Sequence, residues 1–233
     1  MNSTKELLEE YAEGRRDFSD WNLEGAELSK AHLKDIKLVG SNLSAANLSK
    51  ANLSRANLRE ANLAGSDLYA ADLIGTDLSK ANLRKANLRK ACSKMADLQE
   101  ADLRGADLTR ADFWRANLSK ANLQDAALTQ VCFQVTNLKG VNLREAYLEE
   151  SDLWGTNLTG ADLQKANFYK ARFLRADLDR ANLKEANLRK ASLEEALLLK
   201  TNLTKADLEQ TDFRKAVLEE IILTEELPTE SNL

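Results

Sequence analysis

Leucine or phenylalanine recurs at every fifth residue from Phe18 to Leu223, and this spacing organises almost the whole chain. Two residues before each of these centres stands Ala or another small residue in most repeats, and the residue between them is usually Asn or Asp. The one polar centre is Ser93. Because the pattern runs without insertion or deletion, it predicts one repetitive structure and not a series of different elements.

A period of five excludes a regular helix and a long strand. On an α-helix, five residues advance by about 500°, so successive leucines would form no stripe. Along a strand, an odd period would send successive leucines to opposite faces. Within one repeat, however, Ala and Leu lie two residues apart and share a face, so each repeat can be a short extended step with both side chains pointing inward. A turn must follow each step, and glycine recurs two residues after the centre, where turns often need a positive φ.

These repeats resemble the pentapeptide-repeat proteins. The resemblance covers residues 16–223 and implies an all-β solenoid, a right-handed quadrilateral β-helix with four repeats in each coil. About ten coils at the usual strand spacing would make a rod roughly 50 Å long. Residues 20 apart would then stack on one face, and Cys92 with Cys132, like Trp114 with Trp154, recur at twice that interval.

The repeated positions have structural interpretations in this geometry. Leucines fill a narrow core, and each contributes about 1.5 to 3 kcal/mol by its burial. Asn and Asp have short side chains that bond to nearby backbone, so we interpret them as fasteners of the turns and not as ligands. At Ser93, we expect the large ring of the stacked Phe113 to restore the missing volume.

The N-terminal segment, residues 1–15, departs from the repeat and is predicted to be a helical cap. Ser3–Glu6 is a capping box, apolar residues follow at helical spacing, and Gly14 provides a stop, so we expect a helix at about 4–13. The apolar residues are Leu7, Leu8 and Tyr11. The segment 7–18 is similar to the leader of many cyanobacterial family members, one of which regulates heterocyst differentiation.

The C-terminal repeats depart from the pattern in a different way. Val217, Ile221 and Ile222 replace the usual Ala, Asn or Asp. Two interpretations are open: residues 213–226 leave the coil as an amphipathic helix, or the last coil persists and its apolar end contacts another subunit. We favour an apolar terminal interface that gives a homodimer, followed by a tail at 224–233.

Departures within the repeats concentrate on the face whose centres are residues 33, 53, 73 and onward. The residue after each centre is expected to point outward, and on this face it is large and apolar at Ile74, Trp114, Trp154 and Leu174. Met95 and Val135 lie beside them. Two tryptophans about 10 Å apart on a flat face are typical of a protein interface. Incidental apolar covering of the backbone is the alternative.

Composition excludes several classes of protein. The 233 residues include one proline and nine glycines, too few for collagen or for a Gly/Pro-rich disordered tract. No apolar run approaches the roughly 20 residues that cross a bilayer. Residues 1–15 lack the features of a secretory signal, so we expect a cytoplasmic protein with no membrane contact.

No catalytic or metal-binding pattern stands out. His32 and Cys92 would share a column three coils apart, at about 14 Å, which is too far for a common metal ion. Cys92 and Cys132 would be about 10 Å apart, beyond the reach of a disulfide. A rod with a filled core offers no obvious substrate cavity. We therefore expect a non-enzymatic protein without cofactor or metal.

The sequence thus predicts a rigid protein-interaction module, regulatory in a cyanobacterial setting, whose protein partner is unknown. Two alternatives remain. Some family members resemble B-DNA in shape and acidity and protect type II topoisomerases, but here cations outnumber carboxylates at the two positions after each centre, despite a net charge of −4. Stacked cations such as Lys90 and Arg110 could bind a polyanion, although interleaved glutamates favour a solvated face, so nucleic acid is not the partner we expect.

Overall fold

The computed structural model describes residues 3–224, which form one helix followed by a continuous solenoid. The helix, α1, is Thr4–Ala12. Single-residue parallel β-bridges follow, each joining a residue to the one 20 positions later, from Asp17–Lys37 to Asn202–Ile222. Four five-residue repeats therefore make one coil, as predicted, and the coils stack into a four-sided β-helix. Within the described chain, no helix has the length and apolar character that spanning a membrane requires.

Main-chain hydrogen bonds join each coil to the next in a fixed register. From Phe18 to Leu203, the N–H of each centre donates to a carbonyl 19 positions later, as Leu23 does to Asn42 at 2.7 Å. A bond in the opposite direction runs from the Asn42 N–H to the Trp21 carbonyl at 2.9 Å. The ladder thus pairs the backbone polar groups that a buried chain would otherwise leave unsatisfied.

Each corner of the coil needs a residue with positive φ. The second residue after the centre has φ between 50° and 66° throughout the solenoid. Glycine fills this position at Gly65 and Gly105, but most corners carry a side chain, such as that of Lys50. A residue with a Cβ pays about 1 kcal/mol or more in this conformation. Glycine is therefore favoured at the corner but is not required there. Because the penalty for a side chain is small, most repeats can have another residue at this position.

The core is a single column of leucine and phenylalanine side chains walled by alanine. Every centre from Phe18 to Leu203 is at most 1% exposed. Phe113 packs against Phe133 with ring centroids 5.5 Å apart. That the Phe113 ring restores the volume missing at Ser93 stays a prediction. The predicted convergence of the five-residue pattern on one central axis is confirmed.

Asn and Asp before the centre fasten the corners, as predicted. The Oδ1 atom of Asn42 accepts the N–H of Ser44 at 3.2 Å. Asparagines of successive coils also form a ladder, in which the amide of Asn62 donates to Asn42 and that of Asn82 donates to Asn62. These short side chains therefore stabilise the turn within a coil and the stacking between coils.

Helix α1 covers the first coil and is the predicted helical cap. The capping box of Ser3–Glu6 is formed in both directions. Leu7 is fully buried, and the hydroxyl of Tyr11 donates to the carbonyl of Lys34 at 2.8 Å. Leu8 is 38% exposed, because it lies about 100° around the helix from Leu7 and faces solvent.

The C-terminal end of the solenoid remains a coil. Bridges at Val217 and Ile222 continue the β-helix, so the alternative of an amphipathic helix is wrong for residues 213–224. Residues 225 and 226 lie outside the described residues, as does the predicted tail beyond Thr224. Nothing within residues 3–224 covers this end as α1 covers the other.

Buried hydroxyl groups in the solenoid are of two kinds. Thr76 and Thr136 replace Ala and donate to the main-chain carbonyls of Leu53 and Phe113 at 2.8 and 2.7 Å. The hydroxyls of Ser66, Ser93 and Ser151 are buried and have no hydrogen-bond partner among residues 3–224, and of these three residues only Ser93 stands at a core centre. Leaving a buried hydroxyl unpaired costs about 1 to 3 kcal/mol.

Ser93→Ala is expected to raise the free energy of unfolding by about 1 kcal/mol, because it removes the unpaired hydroxyl and leaves the main-chain ladder intact. Thr136→Val is the matched control: it removes a hydroxyl that is bonded and should lower the free energy of unfolding by about 1 kcal/mol. Urea denaturation followed by circular dichroism measures both. A destabilised Ser93→Ala variant would contradict this account of the core.

Candidate interaction surface

The Trp face is the name we give to the wall whose centres include Leu73, Phe113 and Leu153. The four outward residues selected from the sequence all lie on it. Trp154 is 37% exposed, and the other three are half-buried. Two neighbouring corner residues are more exposed, Met95 at 54% and Val135 at 41%. The apolar groups of the Trp face, in order along the axis, are Ile74, Met95, Trp114, Val135, Trp154 and Leu174.

Two aspartates fix the backbone that carries the tryptophans. The Oδ1 atom of Asp112 accepts the N–H of Trp114 at 3.0 Å, and Asp152 does the same for Trp154 at 3.2 Å. These are the corner-fastening bonds that recur throughout the solenoid. The two indoles are therefore mounted on a rigid wall and not on a loop.

The same aspartates also hold the polar residues that lie one coil earlier. Lys94 Nζ is 3.2 Å from Asp112 Oδ2, and Gln134 Nε2 donates to Asp152 Oδ2 at 2.8 Å. The hydrogen bond that Lys94 donates to Asp112, together with the charge of that carboxylate, raises the pKa of Lys94, which is a paired cation at neutral pH. Both polar side chains are thus tied to the wall between the apolar ones.

A unit of two coils recurs on the Trp face. Its first copy contains Cys92, Lys94, Asp112 and Trp114, and its second copy contains Cys132, Gln134, Asp152 and Trp154. Asp72 and Ile74 occupy the equivalent positions one unit earlier. At the usual spacing of neighbouring strands, equivalent groups stand about 9.6 Å apart along the axis.

A hollow lies beside the first tryptophan. It has a volume of about 270 Å³ and is lined by Lys94, Asp112, Trp114, Cys132 and Gln134. The guanidinium of Arg115 lies over the indole of Trp114, 4.3 Å from the ring centroid. Within residues 3–224, no carboxylate forms an ion pair with Arg115. The hollow therefore combines an aromatic wall with an unpaired cation at its rim.

The two cysteines of the Trp face are free thiols. Burial, reinforced by the charges of Asp112 and Asp152, raises the pKa of the Cys132 thiol, so this group is protonated and weakly nucleophilic at neutral pH. Among the described residues, no three Cys, His, Asp or Glu side chains are grouped as metal ligands. Around the two tryptophans, the chemistry that the Trp face offers is apolar contact, hydrogen bonding and the charge of Arg115.

Val135 stores backbone strain on this surface. Its φ is 56°, and it is the one β-branched residue among the positive-φ corners of residues 3–224. A branched side chain is a poor fit in this conformation because its Cβ substituents crowd the adjacent backbone. Keeping valine at an exposed, strained corner is the pattern expected where a side chain serves binding and not stability.

The structure adds apolar groups that the sequence interpretation left out. Tyr147, on the neighbouring wall, is 53% exposed, and Leu197, near the C-terminus, is 40% exposed. Both replace the usual Asn or Asp before a centre, and that replacement was the available signal. Leu197 bridges to Val217, and Ile222 is 54% exposed, so the apolar C-terminal end continues onto a side wall. Ile221 is half-buried in the same coil.

A four-sided solenoid whose candidate site is an open wall defines a β-helix repeat protein. The family model described as "Pentapeptide repeats" matches this chain in eight copies. The matched residues are 17–55, 26–65, 51–89, 96–134, 136–175 and 176–214. The chain therefore belongs to the pentapeptide-repeat family, whose fold is the right-handed quadrilateral β-helix. The resemblance drawn from the sequence is confirmed.

Solved structures of the family match the chain to different extents. HetL, a pentapeptide repeat protein involved in heterocyst differentiation regulation from the cyanobacterium Nostoc sp. strain PCC 7120, is 35% identical, with a TM-score of 0.73 over 100% of both chains. Rfr23 from the cyanobacterium Cyanothece 51142 is 31% identical over 50% of this chain and 63% of its own, with a TM-score of 0.25. Full-length QnrB1, a plasmid-mediated fluoroquinolone resistance protein, is 20% identical over 89% and 93%, with a TM-score of 0.46. No curated protein matches the sequence.

Val135→Asn is expected to raise the free energy of unfolding by about 1 kcal/mol, because Asn tolerates positive φ better than a β-branched residue does. Lys120→Asn, at an exposed corner with φ of 58°, is the matched control and should gain less stability, because lysine has no branch at Cβ. Urea denaturation midpoints test the pair. A loss of stability in Val135→Asn would show that the valine is retained for packing.

Proposed function

We propose that this protein is a non-enzymatic, rigid interaction module that binds a protein partner through the Trp face. The observation that carries the proposal is the recurring two-coil unit, in which an aspartate below each tryptophan fixes the backbone and ties down the polar neighbour. Aromatic anchors that are already ordered lose little conformational entropy on binding. Tryptophan is also among the residues most enriched at the energetic centres of protein interfaces.

We propose a regulatory role in the cytoplasm of a cyanobacterium, and the similarity to HetL supports the regulatory part. HetL is described as involved in the regulation of heterocyst differentiation, and 35% identity over both whole chains favours the same class of role here. A rigid rod suits such a role because it presents a fixed pattern of side chains to another protein. The two free thiols are compatible with a reducing compartment.

Binding of a polyanion has weaker support. A cleft at one corner is lined by Arg89, Lys90, Thr109, Arg110, Thr129 and Gln130. However, Asp107 lies 3.8 Å from Arg89, and the next residues along this corner are Glu149 and Glu150. Acidic groups therefore interrupt the positive potential that a polyanion would need. The cations of this cleft also argue against the DNA-mimic alternative, because a DNA mimic needs an acidic surface.

The double variant Trp114→Ala/Trp154→Ala is expected to reduce capture of the partner at least about 30-fold, because truncating aromatic anchors typically costs 2 kcal/mol or more. Capture from a cyanobacterial lysate on immobilised protein, quantified by mass spectrometry, measures the effect. Tyr147→Ala, which removes an exposed aromatic from the neighbouring wall, is the matched control and should keep full capture.

Two results would overturn the Trp-face proposal. One is a double variant that captures every wild-type partner equally well. The other is a large fall in its thermal stability, which would show that the tryptophans serve the fold. Trp154→Ala alone, at the more exposed position, separates the two effects if the double variant unfolds.

We also propose that two copies associate through the C-terminal coil. Val217 and Ile221 are half-buried in the terminal coil, and Leu197, which bridges to Val217, is exposed on the adjoining wall. An apolar end of this kind is self-complementary about a two-fold axis, so a second copy of the chain would cover it. The exposed Ile222 and the adjoining apolar residues would be buried in the same contact.

The wild-type protein is expected to have twice the chain mass of 25.9 kDa in light scattering at micromolar concentration, and Ile222→Glu is expected to be monomeric. A carboxylate at the apolar interface would be desolvated without a partner. Leu8→Glu, at the opposite end of the rod, is the matched control and should remain dimeric. A monomeric wild-type protein at high micromolar concentration would refute the self-association.

A further inference from the structure

The Trp face presents apolar groups at a regular interval. Ile74, Trp114 and Trp154 are each 40 residues apart, with Lys94 and Gln134 between them. Because coils stack at the strand spacing, the three apolar groups stand at intervals of about 9.6 Å and span about 19 Å. Leu174 follows Trp154 by one coil and lies outside this register.

This interval matches one ligand backbone better than the others. A polyproline II helix repeats every three residues, about 9.3 Å, so its same-side residues meet all three groups with a total mismatch of about 0.6 Å. An α-helix presents the same side after seven residues, about 10.5 Å, and accumulates about 1.8 Å over the same span. In a strand, same-face residues are about 6.7 Å apart, so two of every three contacts miss the three groups and the middle group has no strand residue within about 2.9 Å.

The polar groups of the face also fit a polyproline II backbone. The indole N–H groups of Trp114 and Trp154 donate to no acceptor within the described part of the chain. A polyproline II ligand has carbonyls free of internal hydrogen bonds, and aromatic grooves are the usual surfaces that bind it. Lys94 and Gln134 are held down by their aspartates, which leaves room for the ligand between the apolar groups.

Charge specifies a further property of the ligand. Arg115 lies over the Trp114 ring with no carboxylate partner in residues 3–224, whereas Arg55 and Arg175 in the same corner column are paired with Asp35 and Glu195. The central cation of the surface is therefore the one left free. A ligand residue beside the first tryptophan would complement it with a carboxylate.

We infer that the Trp face binds a proline-rich segment of a partner protein, in the polyproline II conformation, with an acidic residue beside Arg115. The segment lies along the axis of the solenoid, with prolines at every third position against Ile74, Trp114 and Trp154. The inference rests on the proposed function and names the chemistry of the partner. A rigid ligand on a rigid wall keeps the entropy cost of binding small.

The test is calorimetric titration of the full chain with a peptide of four Pro-Pro-Glu units. Saturable binding with a Kd below 1 mM is expected, together with shifts of the indole N–H signals of Trp114 and Trp154 in NMR spectra and no shift for Trp21. Trp154→Ala should weaken binding at least about tenfold. A helical peptide of the same length and charge is the control and should bind at least about tenfold more weakly.

The role of charge is tested by reversing the charge of the peptide and, separately, the charge of residue 115 in the protein. Wild-type protein should prefer the Pro-Pro-Glu peptide to a Pro-Pro-Lys peptide by at least about fivefold, and Arg115→Glu should reverse the order. Absence of saturable binding by the Pro-Pro-Glu peptide up to 1 mM, or equal binding by the helical peptide, overturns the inference. If peptides fail while capture of a partner still depends on the tryptophans, the proposed function stands and only the ligand class is wrong.

Discussion

The parallel main-chain ladder, in which every coil closes after 20 residues, is the constraint on which the rest of the structure depends. Each centre donates to a carbonyl of the next coil, so one inserted residue would move a leucine from the core to solvent and misalign every later bond. The absence of insertions from Phe18 to Leu223 follows from this. The same register turns a spacing in the sequence into a distance in space, which is why residues 40 apart form a recurring surface unit.

The position before each centre shows how little freedom this fold leaves for function. The Asn or Asp side chain at this position has a structural role, because one of its carboxylate or amide oxygens accepts the N–H two residues later. At Asp112 and Asp152 the second oxygen is still available, and it ties down Lys94 and Gln134. A fold-determining side chain thereby shapes the surface without losing its role in the corner. The candidate surface is thus built from side-chain atoms that take no part in the hydrogen bonds of the repeat.

The sequence was sufficient for the path of the chain and for the direction of its side chains. A period of five is incompatible with a helix stripe or a long strand, and Phe18 to Leu203 are buried as that argument requires. It was insufficient where one pattern fits two backbones: Val217, Ile221 and Ile222 suit either an amphipathic helix or a coil. The second bond of Asp112 depends on a rotamer, which no spacing reveals.

Because the Trp face is rigid, it selects ligands by their spacing and cannot adapt to ligands of another spacing. Because each indole is mounted on a hydrogen-bonded coil, the surface cannot adjust the separation of its apolar groups by more than side-chain rotation allows. A ligand must therefore match the interval of about 9.6 Å that the coil spacing sets. The strained corner at Val135 adds an apolar group between the two tryptophans, although a corner imposes positive φ on whatever residue stands there. The cost in stability is small beside a core in which every coil buries its own leucines.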